Sequence, residues 1–248
     1  MQQAKELRMT PQLPHKTVVL PHMIKYLPKF PNTGELSRIY GFDLDHTLIK
    51  PKLGGKFGRS ADDWMFMSYA LRSDEGGDQD GTGYCKSADI LVKILSLDTK
   101  AHVVVFSNQG GVITVPKESK SCIKYMKKIE MILQDPTLAE VRDRIWLYAS
   151  PKRPASLSNK KPKHGKATKA TRRVSEPKPV VDSAFPFELM RKPNVGMYEE
   201  FKKDFPGKFE LVYYCGDAAG RATDFSDSDK MFAHNLGTVF RTPEEVFK

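Results

Sequence analysis

The sequence predicts an α/β fold: a parallel sheet with helices on both faces, a small flap and no large cap domain. Three observations support this. Short apolar runs at residues 38–45, 101–106, 145–149 and 210–215 have the length and composition of buried parallel strands. Between them lie segments with helical spacing, such as Ile90, Leu91, Ile94, Leu95 and Leu97, then Ile123, Met126, Ile129 and Leu133. Alternation of the two kinds of segment implies parallel strands joined by helices.

Taken in order, residues 1–38 are punctuated by proline, and they predict one short strand at 17–20 followed by an irregular wrap with aromatics at 26–30. The run Ile39-Tyr-Gly-Phe-Asp-Leu-Asp-His-Thr-Leu-Ile49 follows and organises the chain. Lys- and Gly-rich residues 50–60, with Trp64 and Phe66 close behind, predict a flap over the end of that strand. Residues 73–84, with four glycines among acids, predict an exposed loop. A helix is expected at 88–97, a strand at 101–106 ending in Ser107-Asn-Gln-Gly-Gly111, and a helix at 117–133. After a strand at 145–149, structure resumes near Phe185, with a helix at 198–205 and a strand at 210–215 running into Gly216-Asp217. A helix at 227–236 and a last strand at 238–240 complete the expected domain. It spans 1–248, with 1–15 and the insert 151–180 expected to be disordered.

The chain has 248 residues, is 40% hydrophobic and 28% charged, and carries a formal net charge of +10. That charge is local: 151–180 holds seven Lys and three Arg against Glu176 alone, so the remaining body is near neutral. No apolar run is long enough to cross a bilayer and the amino terminus has no signal-peptide core, so a soluble protein is expected. Three cysteines without Cys-x-x-Cys spacing argue against a disulfide frame or a zinc site.

Chemistry gathers at three strand ends. Asp43 and Asp45 are two apart, and residues two apart on a strand share a face. Both carboxylates can therefore meet one substrate at the carboxyl edge, where open α/β sheets keep their sites. By itself an Asp-x-Asp is more often an acidic strand end on a solvated loop. Thr47 follows in the turn and can fix that loop through its hydroxyl. The second strand end offers Ser107 and the backbone amides of Asn108, Gln109 and Gly110 as a cradle for phosphate oxygens. The last offers Asp217, placed to hold a divalent cation with Asp43, and Lys192 lies ahead of a helix between them, able to neutralise developing charge. Such a set suits phosphoester hydrolysis through a phospho-aspartate.

The segments Phe-Asp-Leu-Asp-His-Thr-Leu-Ile, Val-Phe-Ser-Asn-Gln-Gly-Gly, Arg-Lys-Pro and Cys-Gly-Asp-Ala-Ala-Gly-Arg together resemble the haloacid dehalogenase superfamily. With Ser-Ala-Asp-Asp-Trp, Gly-Val-Ile-Thr-Val-Pro, Trp-Leu-Tyr-Ala-Ser-Pro-Lys-Arg-Pro and Asp-Phe-Ser-Asp-Ser-Asp, they resemble more narrowly the polynucleotide kinase 3′-phosphatases, above all the stand-alone fungal DNA 3′-phosphatases. The likeness runs from about Lys16 to the carboxyl terminus, outside the basic insert and the Gly/Asp loop. His46 stands where the wider superfamily commonly has glycine. The resemblance implies a Rossmann-like haloacid dehalogenase fold and a Mg²⁺-dependent phosphatase acting on DNA 3′-phosphate ends. Asp43 would be the nucleophile, and Asp45 the acid and then the base. Ser107 and Lys192 would bind and stabilise the phosphate, with Thr47, Asn108, Gln109, Gly110 and Arg191 contacting substrate. Asp43, Asp217 and the main-chain carbonyl of Asp45 would ligate Mg²⁺, and Asp224 would be an outer acid.

A Gly-x-x-x-x-Gly-Lys-Ser/Thr phosphate loop does not occur, so neither a nucleotide cofactor nor 5′-kinase activity is expected. A monomer is expected, in the nucleus, with Lys160-Lys-Pro-Lys163 and Arg172-Arg173 as a basic import signal. Two rivals stand beside this reading: a phosphatase of small metabolites or phosphoproteins on the same fold, and a non-catalytic scaffold for DNA ends.

Overall fold

The structure is a computed structural model that describes residues 13–70, 83–155 and 185–247. A hairpin comes first: β1 (His15–Leu20) pairs antiparallel with β2 (Met23–Pro28). The second strand occupies what the sequence suggested was an irregular wrap. Its polar spacing hides a buried strand, since Met23, Ile24 and Tyr26 are fully buried and Lys25 nearly so. Next is β3 (Ser37–Phe42), followed by two small ribbons. One pairs β4 (Ile49–Lys50) with β5 (Met65–Phe66), and the other pairs β6 (Ser68–Ala70) with β7 (Tyr84–Lys86). The flap is the loop that the first ribbon closes, while most of the expected Gly/Asp loop lies outside the described residues.

Helix α1 (Ser87–Leu97) leads to β8 (His102–Gln109), α2 (Lys120–Leu133), two single 3₁₀ turns and β9 (Ile145–Pro151). Ser119 caps α2 by accepting from the Cys122 amide at 3.1 Å. The chain resumes with α3 (Phe185–Met190), α4 (Gly196–Asp204), β10 (Phe209–Cys215), α5 (Ser228–Leu236), β11 (Phe240–Arg241) and α6 (Pro243–Val246). Gly237 ends α5 at φ 67°, a left-handed conformation that glycine adopts without a Cβ penalty. The last strand begins later than expected because Thr238 is used differently: its amide donates to Ala233 O and its hydroxyl to Leu211 O.

The seven-stranded sheet has the order β1-β2-β9-β8-β3-β10-β11, with all pairs from β9 to β11 parallel and the two pairs involving β2 antiparallel. Alternation across the sheet sorts the core into two layers. Val103, Val105, Ile145 and Leu147 face α1 and α2, whereas Val104, Phe106, Trp146 and Tyr148 face α4 and α5. Being covered on both sides is why these strands read as unbroken apolar runs. His102 is tolerated because Trp146 Nε1 donates to its Nδ1 at 3.3 Å, and burial lowers its pKa to about 4. From β3 the chain goes first to β8 on one side and later to β10 on the other. That reversal opens a crevice at the carboxyl end of β3.

Both expected disordered segments overlap described structure at one edge. Strand β1 starts at His15, which is buried, and Pro151 still belongs to β9. Residues 1–12 and 156–184 lie outside the described residues. Among the described residues, no helix is long and apolar enough to cross a membrane.

Candidate active site

Strand β3 ends at Phe42, so Asp43 and Asp45 lie just past it and are not on the strand itself. The Asp43 amide donates to Cys215 O at 2.8 Å, which ties the ends of β3 and β10 together. The next residues form a tight loop: Leu48 and Ile49 both donate to Leu44 O, and His46 donates to Ile49 O. His46 holds φ 65° there, which explains why glycine suits this position and what a histidine must tolerate. Loop closure, not strand alternation, therefore aims the two carboxylates into one cleft.

That cleft has a volume of about 720 Å³ and is lined by Asp43, Asp45, Ser107, Lys192, Asp217 and Asp229 at its floor. Lys192 is the hub. Its ammonium donates to Asp43 Oδ1 at 2.5 Å, Asp229 Oδ1 at 2.7 Å and the Tyr214 hydroxyl at 2.8 Å. Those are its three protons. Tyr214 in turn donates to Asp229 Oδ1 at 3.0 Å, closing a buried triangle. The Lys192 main chain is held as firmly, because the Asn108 side chain donates to Lys192 O and accepts from Lys192 N.

Asp43, Asp217 and Asp229 each bring a carboxylate oxygen within 4.8 Å of the others. Gly216 permits this approach, since a Cβ there would lie 2.4 Å from the Asp229 carboxyl carbon. One ammonium faces three acids, and the electrostatics record the imbalance. Burial pushes Asp43 well above the usual carboxylate range; Lys192 opposes this, and Asp229 and Asp217 add to it. Burial and the Asp229 charge raise Asp217 in the same direction. For Lys192, burial works to lower the pKa, but Asp229 and Asp43 overcome it and hold the ammonium above its ordinary value. The three carboxylates, in excess over the one ammonium, are an oxygen donor set that fits a hard divalent cation.

The Asp45 carboxylate stands apart from those three. Gln109 Nε2 donates to its Oδ2 at 2.6 Å and Lys128 Nζ to its Oδ1 at 3.1 Å. Gln109 also donates to Ser107 Oγ at 2.8 Å, coupling the two strand ends. Gly110 lies under the Arg191 guanidinium at the lip, where a Cβ would come within 3.4 Å of it. Two exposed rings, Phe57 from the flap and Phe225 from the opposite loop, stand at the mouth with Lys56 Nζ close to both.

The structure thus brings Asp43, Asp45, Ser107, Lys192, Arg191, Asn108, Gln109, Gly110 and Asp217 to one cleft. Two side chains depart from the substrate contacts that the resemblance implied, those of Thr47 and Asn108, although Thr47 does fix its loop through its hydroxyl as its place in the turn suggested. Thr47 is fully buried away from the cleft lining, and its hydroxyl accepts from the Asp217 amide at 3.1 Å, bolting that loop down. The Asn108 side chain is committed to the Lys192 backbone. Asp224 bonds Arg221 and the Ala219 amide at the loop's outer side, so Asp229 is the acid that completes the cluster. Asp229 lies in the quoted Asp-Phe-Ser-Asp-Ser-Asp segment, but spacing could not choose among its acids. For Lys128 and Tyr125 on α2 the sequence carried no signal beyond helical period.

Against known proteins, the polynucleotide kinase 3 phosphatase family model matches residues 38–247. The chain belongs to that family. It is 42% identical over 253 residues to a polynucleotide 3′-phosphatase of Saccharomyces cerevisiae, covering 94% of this chain and 98% of that protein. A polynucleotide 3′-phosphatase of Saccharomyces mikatae is 40% identical over 259 residues, with 96% and 97% covered. A bifunctional polynucleotide phosphatase/kinase of Schizosaccharomyces pombe is 30% identical over 224 residues, which is 90% of this chain and 40% of that protein.

Proposed function

We propose that this family member is a Mg²⁺-dependent polynucleotide 3′-phosphatase that clears 3′-phosphates from DNA strand ends, acting in DNA repair. The observation that carries the reading is the Asp43 carboxylate clasped by a fully bonded Lys192 ammonium, with Asp45 beside it on the same cleft. Asp43 attacks phosphorus and forms a phospho-aspartyl intermediate. Lys192 sits where it neutralises charge on the transferring group. Asp45, its oxygens held by Gln109 and Lys128, gives a proton to the departing 3′-oxygen and then takes one from the water that hydrolyses the intermediate. Ser107 binds a phosphate oxygen, and Arg191 faces the strand's backbone at the lip.

Asp43, Asp217 and the main-chain carbonyl of Asp45 would hold Mg²⁺, with Asp229 behind them. When bound, the cation supplies Lewis-acid neutralisation of the carboxylate and phosphate charges. Family membership, with two relatives covered almost end to end that are named polynucleotide 3′-phosphatases, supports the substrate assignment. A nuclear location and a monomeric state belong to the same proposal, the first motivated by the basic clusters of 160–173.

The test is a substrate panel with and without Mg²⁺: oligonucleotide 3′-phosphate, 5′-phosphate, phosphoserine peptide and sugar phosphate. Turnover is expected on the 3′-phosphate, far above the other three and lost on chelation. Preference for phosphoserine or sugar phosphate would overturn the reading, as would no turnover at all. For the compartment, a tagged chain should leave the nucleus when Lys160, Lys161 and Lys163 become Ala.

A further inference from the structure

The Tyr125 hydroxyl is an anomaly in the cleft. Tyr125 sits on α2, is 2% exposed and lines the cleft beside Asp43 and Asp45. Among the described residues, five buried side-chain polar atoms have no hydrogen-bond partner: His15 Nδ1, Trp64 Nε1, Tyr125 Oη, Arg142 Nε and Ser150 Oγ. Of those five residues only Tyr125 lines the cleft. Leaving a hydroxyl unpaired in the interior costs about 1–3 kcal/mol, so each such group calls for an explanation. A ligand that supplies the missing acceptor is one explanation, and here the surroundings specify its chemistry.

Ser107 is the neighbour the phenol approaches, without forming a well-made bond to it. Because Ser107 Oγ accepts from Gln109, its own proton remains to be donated. Burial, with the nearby Asp45 carboxylate adding to it, holds the Tyr125 phenol well above its ordinary value, so it too is a donor. Lys128 covers the ring's outer side, its Nζ 5.5 Å from the centroid. Two hydroxyl protons from different elements, β8 and α2, therefore converge beside the nucleophile. Among the described residues no side chain gives the phenol a well-formed acceptor, the nearby Ser107 Oγ being already engaged by Gln109.

We propose that Tyr125 is a phosphate-binding residue of this site, its hydroxyl donating to a non-bridging oxygen of a phosphate monoester alongside Ser107. The assignment rests on the phosphatase reading above and deepens it. A bound phosphate presents three non-bridging oxygens, and Ser107 and Tyr125 approach from two separate elements, β8 and α2. The unpaired phenol in the free protein is then the cost of a donor pre-aimed at its ligand.

The experiment is Tyr125→Phe, which deletes the hydroxyl and keeps the ring in its packing. Three quantities are compared with wild type: kcat/KM on thymidine 3′-monophosphate, the calorimetric Kd of inorganic phosphate, and Tm. A lost hydrogen bond to a charged group predicts kcat/KM down and phosphate Kd up by about 10- to 100-fold. Tm should be unchanged or higher, because the orphan hydroxyl is gone. Values of kcat/KM and Kd within about twofold of wild type, well below the effect of one such bond, would overturn the proposal. So would a fall in Tm with activity intact, which marks a structural hydroxyl. Wild-type protein that turns over no phosphate monoester would sink the phosphatase reading and this proposal together, whereas an active wild type with an unaffected variant sinks Tyr125 alone.

Discussion

Two buried lysines in this molecule have almost the same surroundings. Lys25 on β2 bonds Glu200 and Asp204, both at 2.8 Å, and Tyr148 donates to Asp204. Lys192 bonds Asp43 and Asp229 at 2.5 and 2.7 Å, and Tyr214 donates to Asp229. Each joins a buried ammonium, two carboxylates and a tyrosine, and the first adds a second ammonium, Lys203, on Glu200 at 2.6 Å. The electrostatic outcome is opposite. At the first, burial works to raise Glu200, but bonds from Lys203 and Lys25 prevail and its pKa is lowered. At the second, burial prevails and Asp43 is raised, with Asp217 as a third acid nearby. The Lys25 cluster is balanced and belongs to the fold. The Lys192 cluster holds surplus negative charge beside a cleft, an imbalance that marks a candidate functional site and suits the cation proposed above.

The largest effect that would break this contrast comes from Asp43→Asn. Loss of the proposed nucleophile is expected to lower kcat at least about a thousandfold, with Tm held or raised. A variant keeping more than about a tenth of the wild-type rate, a loss of only ~1.4 kcal/mol, would remove Asp43 from that role.

Next come the two lysines as a pair. Lys192→Met should cut kcat by about 100-fold and destabilise by about 3–5 kcal/mol, since it strands buried carboxylates. Lys25→Met should also destabilise, by about 1–3 kcal/mol, yet leave kcat/KM unaltered. Melting curves and steady-state kinetics on both variants check this. Equal kinetic losses would erase the distinction between the clusters.

A subtler effect concerns pH. Asp43 and Asp217 have folded-state values raised above the ordinary 3.8. For a raised acid the stabilising contribution is fully present below the unfolded value and is lost as pH rises through the folded one. Metal-free protein should therefore melt higher at mildly acidic pH than at neutrality. Asp217→Asn should raise the metal-free Tm at neutral pH and abolish the gain in Tm on adding Mg²⁺. A metal-free Tm that climbs steadily toward neutrality would contradict it.

The smallest effect is expected from the basic insert. Deleting residues 156–178 should raise KM for an oligonucleotide and flatten its salt dependence while kcat holds, if those charges add sequence-independent affinity for DNA. An unchanged salt slope assigns the segment elsewhere.

Some of the site was legible because its parts are local. An apolar run long enough for one strand, ending in Asp43 and Asp45, identifies both a strand and its reactive edge. The same holds for the run ending at Ser107 and for Gly216-Asp217. Strand alternation, however, was the wrong reason for bringing the two to one cleft, since the loop after Phe42 does the aiming. The amino-terminal hairpin was harder, because Lys25 and Pro28 disguise β2, and its partner β9 lies more than a hundred residues away.

What the amino-acid order determined by itself is the α/β class, the sequence of strand ends and the identities of the acids and lysine they carry. Each follows from side-chain pattern within a dozen neighbouring positions. Only the folded chain decided that Asp229 and not Asp224 joins the cluster, that Thr47 braces Asp217 from 170 positions away, and that Tyr125 meets no well-formed acceptor among the described residues. Those outcomes depend on which distant groups meet at a common point once two core layers have closed on the sheet, and local pattern holds no record of that.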